Sequence, residues 1–299
     1  MLVVVGLGGN ALLRRGQPLT AESQIQNVRR AAIALANLAQ EHQLVVTHGN
    51  GPQVGLLALQ AEAYPAVPPY PLDMLGAETE GLIGYLIEQE LRNQLPDQAM
   101  VTLLTQIEVD PNDPAFQTPS KFIGPQYSKS EAQQLSAERG YTIAPDGKAY
   151  RRVVPSPKPK VILELSVIQQ LVQAEILVIC AGGGGIPVSR HRSGHLYGVE
   201  GVIDKDLATA LLAIELEAEA LLLLTDVEAV YTHWGQPTAQ RIDQVSHTQL
   251  DPEAFAPGSI GPKIAAACQF VAQTGHPAGI GNLEQAVGIL RGQGGTRIV

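Results

Sequence analysis

The sequence has little charge and few aromatic side chains, and both shortages limit what the protein can be. Charged residues make up 16% of the 299 residues and aromatic residues 4%, whereas apolar residues reach 45%. That apolar share is typical of a folded chain and excludes an intrinsically disordered one. Alanine, leucine, valine and isoleucine must therefore fill the core. The net charge of −9 disfavours a nucleic-acid or anionic-membrane surface. An anionic ligand would therefore need its own local cluster of cations.

Cysteine and long apolar segments are also scarce. The two cysteines, Cys180 and Cys268, lie in apolar or helical patterns, which predicts buried thiols. The apolar runs are too short for a membrane-spanning helix. The first residues show no basic region followed by an apolar stretch and a cleavage site. We therefore expect a cytoplasmic protein that contacts neither membrane nor nucleic acid.

Short apolar runs alternate with segments of helical spacing along most of the chain. The spacing predicts helices over 20–40, 73–95, 205–218 and 260–274. Apolar runs predict strands at the N-terminus, over 44–47, 100–107, 176–180 and 220–225, and at the C-terminus. This alternation is typical of an α/β fold with a mainly parallel sheet covered by helices on both faces. The length allows either two small domains or one large α/β unit.

Residues 108–160 interrupt this alternation with eight prolines and little regular spacing. Such a segment can be a surface insertion or linker. It can also be a lid or subdomain, because long irregular insertions in compact domains often carry function. We favour the lid.

Three glycine loops follow predicted strands. They are the first loop (Gly8–Asn10), the second loop (Gly49–Gly51) and the third loop (Gly182–Gly185). In open parallel sheets, ligands bind beyond the carboxyl ends of the strands, where glycine lets the backbone approach closely. A following helix would add free amides and a positive dipole end, which suits phosphate. A single loop of this kind could be only a tight turn, but three in similar settings favour anion binding.

The first loop also matches the dinucleotide fingerprint G-x-G-x-x-A over residues 6–11. That fingerprint requires an acidic residue at the end of the next strand, to hold a ribose hydroxyl. The next predicted strand ends at Thr47-His48 without an acid, which disfavours binding of NAD. The Walker motif, with its lysine after the last glycine, is absent as well.

The chain has seven lysines, so each can be considered singly. Lys205 lies in the first turn of a predicted helix, where a cation opposes the dipole, while Asp204 is a suitable N-cap. A residue that breaks a local rule is a functional candidate, although Lys205 could also be a solvated lysine beside two acids. Lys263 begins another predicted helix, and Lys121 lies in the insertion; each by itself could be a surface charge. The remaining lysines are interpreted as solvated surface residues: Lys129, Lys148, Lys158 and Lys160.

Together these segments resemble the carbamate kinases, a family of the amino-acid kinase superfamily. The resemblance covers nearly the whole chain. It rests on GGNAL (8–12), THGNGPQVG (47–55), PLDMLGAETEGLIGYLI (71–87), NDPAFQ (112–117), SKFIGPQYS (120–128), YRRVVPSPKP (150–159), GGGGIPV (182–188), VIDKD (202–206) and APGSIGPK (256–263).

The resemblance implies reversible phosphoryl transfer between ATP and carbamate, with Mg²⁺, usually in a homodimer. It implies a three-layer α/β/α sandwich, the amino-acid kinase fold, formed by a single domain over 1–299. The N-terminal lobe (1–200) would bind carbamate, and its protruding subdomain (about 110–155) would cover the site. The C-terminal lobe (201–299) would bind the nucleotide. The direction expected for the family is ATP synthesis in arginine or other nitrogen catabolism.

The resemblance also implies site residues. Catalytic roles fall to Lys121, Lys205 and Asp206, with Asp206 the candidate for a contact to Mg²⁺, direct or through water. Carbamate and phosphoryl oxygens would meet Gly8, Gly9, Asn10, Gly49, Asn50, Gly51, Gly183, Gly184 and Arg152. The nucleotide would meet Lys205, Thr225, Asp226, Val227, Tyr231, Gly258, Ser259 and Lys263.

Two positions distinguish the chain within this resemblance. Relatives such as acetylglutamate kinase carry a lysine two residues before the first glycine pair, where this chain has Gly6. In carbamate kinases the insertion supplies that charge, which matches Lys121. Gly261 departs from the pattern, because a bulkier residue is expected there.

Other readings stay open: a related kinase acting on an amino-acid carboxylate or UMP, a non-catalytic anion or nucleotide sensor, and a nicotinamide dehydrogenase.

Overall fold

The computed structural model describes residues 1–14, 16–256 and 258–299. The side chains of Asn10 and Ala11 lie outside this description. Within these residues, no helix is both long enough and apolar enough to cross a membrane.

Strands and helices alternate along the described chain. The strands are β1 (Leu2–Leu7), β2 (Gln43–His48), β3 (Met100–Thr102), β4 (Gln106–Val109), β5 (Lys121–Tyr127), β6 (Ile143–Asp146), β7 (Ala149–Val154), β8 (Pro159–Ile162), β9 (Leu177–Ile179), β10 (Ile186–Arg190), β11 (Leu196–Gly198), β12 (Ala220–Thr225), β13 (Val230–Thr232), β14 (Gln240–Ile242), β15 (Gln244–Val245), β16 (Ala278–Asn282) and β17 (Thr296–Ile298). The α-helices are α1 (Gly9–Leu12), α2 (Ala21–Ala39), α3 (Gly51–Glu62), α4 (Leu72–Gln94), α5 (Lys129–Arg139), α6 (Leu165–Gln173), α7 (Lys205–Glu215), α8 (Ile260–Thr274) and α9 (Ala286–Leu290).

The central sheet has eight strands in the order β15-β17-β16-β12-β1-β2-β9-β3. Every neighbouring pair is parallel except β16 and β17. The predicted mainly parallel α/β fold is therefore confirmed. The predicted C-terminal strand exists too, and it is the one that runs antiparallel to its neighbour β16.

Both faces of the sheet are covered, which confirms the three-layer sandwich. Alternate residues of one strand point to opposite faces. Val4 joins an apolar cluster with α7 and α8, whereas Val3 and Val5 join another cluster with α2 and α4. The inner strands β9 and β12 are almost entirely apolar because they are buried on both sides.

The insertion forms a sheet of its own, in the order β5-β7-β6, with α5 beside it. Its strand β5 lies directly against α3, where a side-chain carbon at Gly55 would collide with the backbone of Gly124. The insertion is thus docked on the helix that follows the second loop. The division into two lobes at residue 200 stays a prediction. In the central sheet, the four strands after residue 200 (β15, β17, β16 and β12) lie side by side next to the four before it (β1, β2, β9 and β3), and the sheet is continuous between them.

Two local predictions are wrong. The expected single strand over 100–107 is two strands, and β4 belongs to a separate sheet with the order β11-β10-β4-β8. The chain leaves the central sheet at Thr105, whose amide donates to the side chain of Glu80. The third loop is not followed by an α-helix: a short 3-10 turn over Gly182–Gly184 leads into β10. No helix dipole can therefore act there.

Candidate active site

The first and second loops meet at one edge of the central sheet. In the parallel register, Leu7 pairs with His48 on one side and with Leu224 on the other. The Gly8 amide donates to the Leu224 carbonyl at 2.8 Å, and the Gly49 amide donates to the Leu7 carbonyl at 3.0 Å. The two loops therefore leave the sheet side by side, at the carboxyl ends of the strands.

Side chains are excluded where these loops meet. A Cβ atom on Gly49 would lie 3.1 Å from the Gly9 amide nitrogen and 3.5 Å from Cδ of Lys205. A Cβ atom on Gly8 would lie 2.9 Å from the Leu224 carbonyl oxygen. Gly9, in contrast, faces open space. Glycine at 8 and 49 thus lets two backbones and the stem of Lys205 approach closely.

The third loop packs against the second loop and against the VIDKD segment (202–206). A side chain at Gly183 would collide with the amide group of Asn50, and one at Gly184 with the carbonyl of Ile203. Gly184 also has a φ of +98°, which only glycine adopts readily. The fold therefore brings all three loops and the VIDKD segment to one place.

Lys205 and Lys263 share the carboxylate of Asp206. Lys205 forms an ion pair with Asp206 Oδ1, and the Lys263 ammonium lies 3.0 Å from Oδ2 and 3.2 Å from Oδ1. All three residues are buried. The interpretation of Lys263 as a surface charge is therefore wrong, whereas Lys129, Lys148, Lys158 and Lys160 are exposed as predicted.

Lys121 reaches the same place from the insertion. Its ammonium donates to Asp204 Oδ2 at 2.6 Å, across 83 residues of sequence. Asp204 is the N-cap of α7, as predicted, because its Oδ1 accepts from the amides of Asp206 and Leu207. A single carboxylate thus holds the start of α7 with one oxygen and the insertion lysine with the other.

The charges in this cluster shift one another. Burial lowers the pKa of Lys205 to about 8, and the neighbouring charge of Lys263 lowers it as well, against the attraction of Asp206. Burial opposes ionisation of Asp206, but the two ammonium groups outweigh burial and lower its pKa. Burial would also lower the pKa of Lys121, but Asp204 outweighs it and raises that pKa. Three ammonium groups facing two carboxylates leave an excess of positive charge, which attracts anions.

Two of the remaining nucleotide-side candidates, Thr225 and Gly258, lie beside residues of the first loop and of the insertion. Thr225 is the last residue of β12 and lies beside Gly8: a Cβ atom built on Gly8 would be 3.6 Å from Cα of Thr225. The Thr225 hydroxyl donates to Asp226 Oδ1 at 3.1 Å. A Cβ atom on Gly258 would lie 3.6 Å from the ring of Phe122, the residue after Lys121, and Ser259 precedes α8. Val227 is half-buried after β12. The ring of Tyr231 contacts Trp234, with centroids 5.3 Å apart.

Arg152 and Gly51 lie where the insertion meets α3. The guanidinium of Arg152 lies 4.0 Å from the centroid of the Tyr141 ring and 3.9 Å from Glu62 Oε1, so it ties the insertion to the end of α3. Gly51, the first residue of α3, lies close to the Phe122 carbonyl. The predicted contact of the Asn10 side chain lies outside the described residues.

Sequence reasoning missed two contributors. Glu80 was part of the quoted PLDMLGAETEGLIGYLI segment but received no role, although it is 1% exposed and bonded to the third loop. The sequence pattern that could have identified Glu80 is an acidic residue on the apolar face of α4, between Leu75 and Ile83. The bond from Lys121 to Asp204 had no local signal at all.

The described residues contain no group of three or more His, Cys, Asp or Glu side chains that could hold a metal ion. The ring of His191 stacks on the ring of Tyr197. Cys180 is buried as predicted, and Cys268 is half-buried. Gly261, where a bulkier residue was expected, lies tightly against the chain before α8: a Cβ would be 3.1 Å from the Pro252 carbonyl.

Comparison with known proteins agrees with this geometry. A model of the amino acid kinase family matches residues 1–282. A carbamate kinase of Haemophilus influenzae is 54% identical over 299 residues, covering 100% of this chain and 96% of that protein. One of Thermococcus kodakarensis is 45% identical, covering 99% and 98%. The structure of Giardia lamblia carbamate kinase bound to AMP-PNP superposes with a TM-score of 0.89 at 39% identity, covering 100% and 98%. The chain therefore belongs to the amino acid kinase family and, within it, to the carbamate kinases.

Proposed function

We propose that the protein catalyses reversible phosphoryl transfer between ATP and carbamate, giving ADP and carbamoyl phosphate. The observation that carries this proposal is the cluster of Lys121, Lys205 and Lys263 around two aspartates, at the edge where three glycine loops converge. Full-length similarity to carbamate kinases supports the choice of acceptor.

Carbamate is already an anion, so it needs no general base to become a nucleophile. The obstacle is repulsion between carbamate and the polyanionic nucleotide. Catalysis then consists of holding the two in line and neutralising the charge that develops on the transferred group. Preorganised donors in a water-poor site do this without having to reorient during the reaction.

Each part of the site has a role in this scheme. Lys205 and Lys121 contact the transferring phosphoryl group, and Lys263 contacts the nucleotide phosphates. Amides of the first and second loops other than those of Gly8 and Gly49, together with the Gly183 amide, bind carbamate and phosphoryl oxygens. The Gly184 amide donates to the Ala181 carbonyl at 3.1 Å, so Gly184 shapes the loop instead of donating to the substrate. Asp206 keeps two ammonium groups together that would otherwise repel each other across a short distance. Asp204 holds Lys121 over the site.

Magnesium fits this site as a partner of the nucleotide. Mg²⁺ usually keeps several waters and binds one or two carboxylates together with substrate phosphates. Both oxygens of Asp206 already accept from lysines, so a contact through water suits this carboxylate better than direct ligation. When bound, the ion would neutralise phosphate charge.

The biological setting is part of the proposal. We expect the reaction to run toward ATP synthesis in arginine or other nitrogen catabolism, in the cytoplasm, as the family resemblance implies. A homodimer is expected from the same resemblance. Helix α4 exposes Met74, Leu82 and Tyr85 by 52%, 42% and 55%, on a face that also carries the exposed Glu78 and Gln89. Sedimentation of the purified chain measures this state directly.

The decisive test is ATP formation by the purified protein from ADP and carbamoyl phosphate. The same preparation should be offered ATP with amino-acid carboxylates and with UMP, and its binding of NADH should be followed by fluorescence. Turnover with carbamoyl phosphate alone supports the proposal. Turnover with one of the other acceptors, or none with any of them, refutes it.

Replacing Lys121 by alanine should lower turnover by roughly 10²–10³, because one preorganised charge-stabilising donor is lost. The fold should be retained, since Lys121 is part of a docked insertion and outside both main core clusters. The measurement is the steady-state rate of ATP formation, together with the melting temperature. Lys129→Ala, which removes an exposed lysine of the same insertion, serves as the matched control. Equal rates in the two variants would contradict the role of Lys121.

The rate should also depend on pH through Lys205. Its pKa of about 8 lies below the ordinary lysine value of 10.5, so the ammonium is lost as pH rises through about 8. We expect kcat/KM for carbamoyl phosphate to fall above that pH, because kcat/KM reports the free enzyme. The fall of kcat should occur at higher pH than the fall of kcat/KM, since bound phosphate oxygens favour the charged form of Lys205. A kcat/KM that stays flat up to pH 9.5 would contradict this assignment.

A further inference from the structure

Glu80 is a buried carboxyl group with no cation beside it in the described part of the chain. It lies in the middle of α4 and is 1% exposed. Its Oε1 accepts from the Gly182 amide at 2.8 Å, and its Oε2 accepts from the Thr105 amide at 3.2 Å. Glutamate is rarely buried this completely unless paired with a cation. Here two backbone amides take the place of the cation.

Thr105 completes the attachment of the third loop. Its hydroxyl oxygen accepts from the Ala181 amide at 2.9 Å, and its carbonyl accepts from the Ile186 amide at 2.8 Å. The chain is therefore held both where it enters the loop and where it leaves. The Gly183 amide, at the centre, has no hydrogen-bond acceptor among the described residues and is free for a ligand.

The held backbone is strained. Ala181 has a φ of +49°, a conformation that costs a residue with a side chain roughly 1–2 kcal/mol. Gly183 and Gly184 follow with positive φ values as well. Strained backbone of this kind persists only where surrounding contacts over-determine it. Glu80 and Thr105 supply those contacts.

The same turn of α4 also holds the second loop. Thr79, the residue before Glu80, accepts from the side-chain amide of Asn50 at 2.8 Å. Asn50 in turn packs against Gly183 so closely that no side chain fits there. Two consecutive residues of one rigid helix therefore set the distance between the second and third loops.

We propose that Glu80 is a positioning residue for the carbamoyl group: through Gly182 it holds the third loop so that the Gly183 amide and Asn50 face the same ligand. This inference rests on the proposed function. It predicts a specific loss of carbamoyl phosphate binding when Glu80 is changed, without a comparable loss for the nucleotide.

Retaining an acid at this position is costly. Burial raises the pKa of Glu80 to about 8, so its ionised form is disfavoured in the folded protein relative to the unfolded chain. Either protonation state leaves a lone pair on each oxygen for the two amides. An apolar residue would avoid the cost but would leave both amides without an acceptor.

The first test compares Glu80→Gln with Glu90→Gln. Glu90 is also buried on α4, but it binds Arg29, and among the described residues it has no hydrogen bond to a glycine loop. Glutamine preserves volume while turning one acceptor into a donor aimed at a backbone amide. We expect Glu80→Gln to raise KM for carbamoyl phosphate about tenfold, with KM for ADP changed less than about twofold. Glu90→Gln should leave both constants unchanged.

The second test does not depend on activity. Hydrogen–deuterium exchange of the unliganded proteins should be faster over residues 177–187 in Glu80→Gln and unchanged there in Glu90→Gln. Thr105→Val should reproduce the effect by removing the Ala181 acceptor, and Thr105→Ser should restore the wild-type values. If Glu80→Gln does not fold, the KM values and the hydrogen–deuterium exchange are measured on Thr105→Val.

The outcomes separate the two proposals. A wild-type protein without turnover on carbamoyl phosphate refutes the proposed function, and exchange still decides whether Glu80 holds the loop. Wild-type exchange and KM values in Glu80→Gln overturn the inference. So does an equal rise of both KM values with faster exchange throughout the chain, which would indicate general destabilisation.

Discussion

Replacing Lys205 by alanine lowers kcat for ATP formation by about 10²–10³, because one preorganised charge-stabilising donor is lost. The Lys205 side chain is buried, with its aliphatic stem against Gly49 and its ammonium paired with Asp206. Its interaction with the transferred group strengthens as negative charge develops, so the loss falls on kcat as well as on kcat/KM. The measurement is the initial rate of ATP formation with both substrates saturating.

Two variants make the Lys205 result specific. Lys205→Met keeps the aliphatic stem that packs against Gly49 but removes the charge, and it should lose as much activity as the alanine variant. Lys158→Ala, at an exposed lysine, should behave as wild type. If the methionine variant retained more than about a tenth of the wild-type rate, charge would not be the reason for the effect.

Replacing Asp206 by alanine should destabilise the fold as well as stop the reaction. The change leaves the ammonium groups of Lys205 and Lys263 buried and close together without their shared carboxylate. Removing one partner of a buried ion pair costs about 3–5 kcal/mol. With an unfolding entropy of about 2.1 cal/mol/K per residue, a chain of 299 residues loses about 1.6 °C per kcal/mol, so the melting temperature should fall by roughly 5–8 °C. Scanning calorimetry measures this change.

A double variant separates stability from catalysis at Asp206. Combining Asp206→Ala with Lys263→Met removes one of the two uncompensated charges, so it should recover part of the lost melting temperature. It should not recover activity, because the phosphoryl and nucleotide contacts remain incomplete. A melting temperature equal to that of Asp206→Ala alone would contradict the proposed repulsion between the two lysines.

Much of the fold could be predicted because its signals are local. Uninterrupted apolar runs of strand length and helical spacing of apolar residues identified β1, β2 and β12 and the helices α2, α4, α7 and α8. The N-cap of α7 could be predicted from Asp204 for the same reason, since capping involves only the next few residues. The strand over 100–107 was wrong because a hydrogen bond to Glu80, which lies 25 positions earlier, redirects the chain at Thr105.

The candidate site could be predicted only in part. The glycine loops were visible because parallel strands end at one edge of the sheet, which places successive loops together. Whether Lys263 is a surface charge or a buried one could not be decided, because its first-turn position fits both. Lys263 is buried with its ammonium on Asp206 of α7, and no spacing in the sequence reveals that these two residues meet.

The sequence by itself determined the parallel α/β architecture and the three glycine loops, since these follow from short-range pattern and composition, and it indicated the family through the resemblance of its motifs. Only the tertiary structure decided which charges meet: Lys121 with Asp204 across 83 residues, Lys263 with Asp206, and Glu80 with the third loop. The physical reason is that backbone conformation depends on near neighbours, whereas an ion pair or a buried acceptor depends on where distant segments pack.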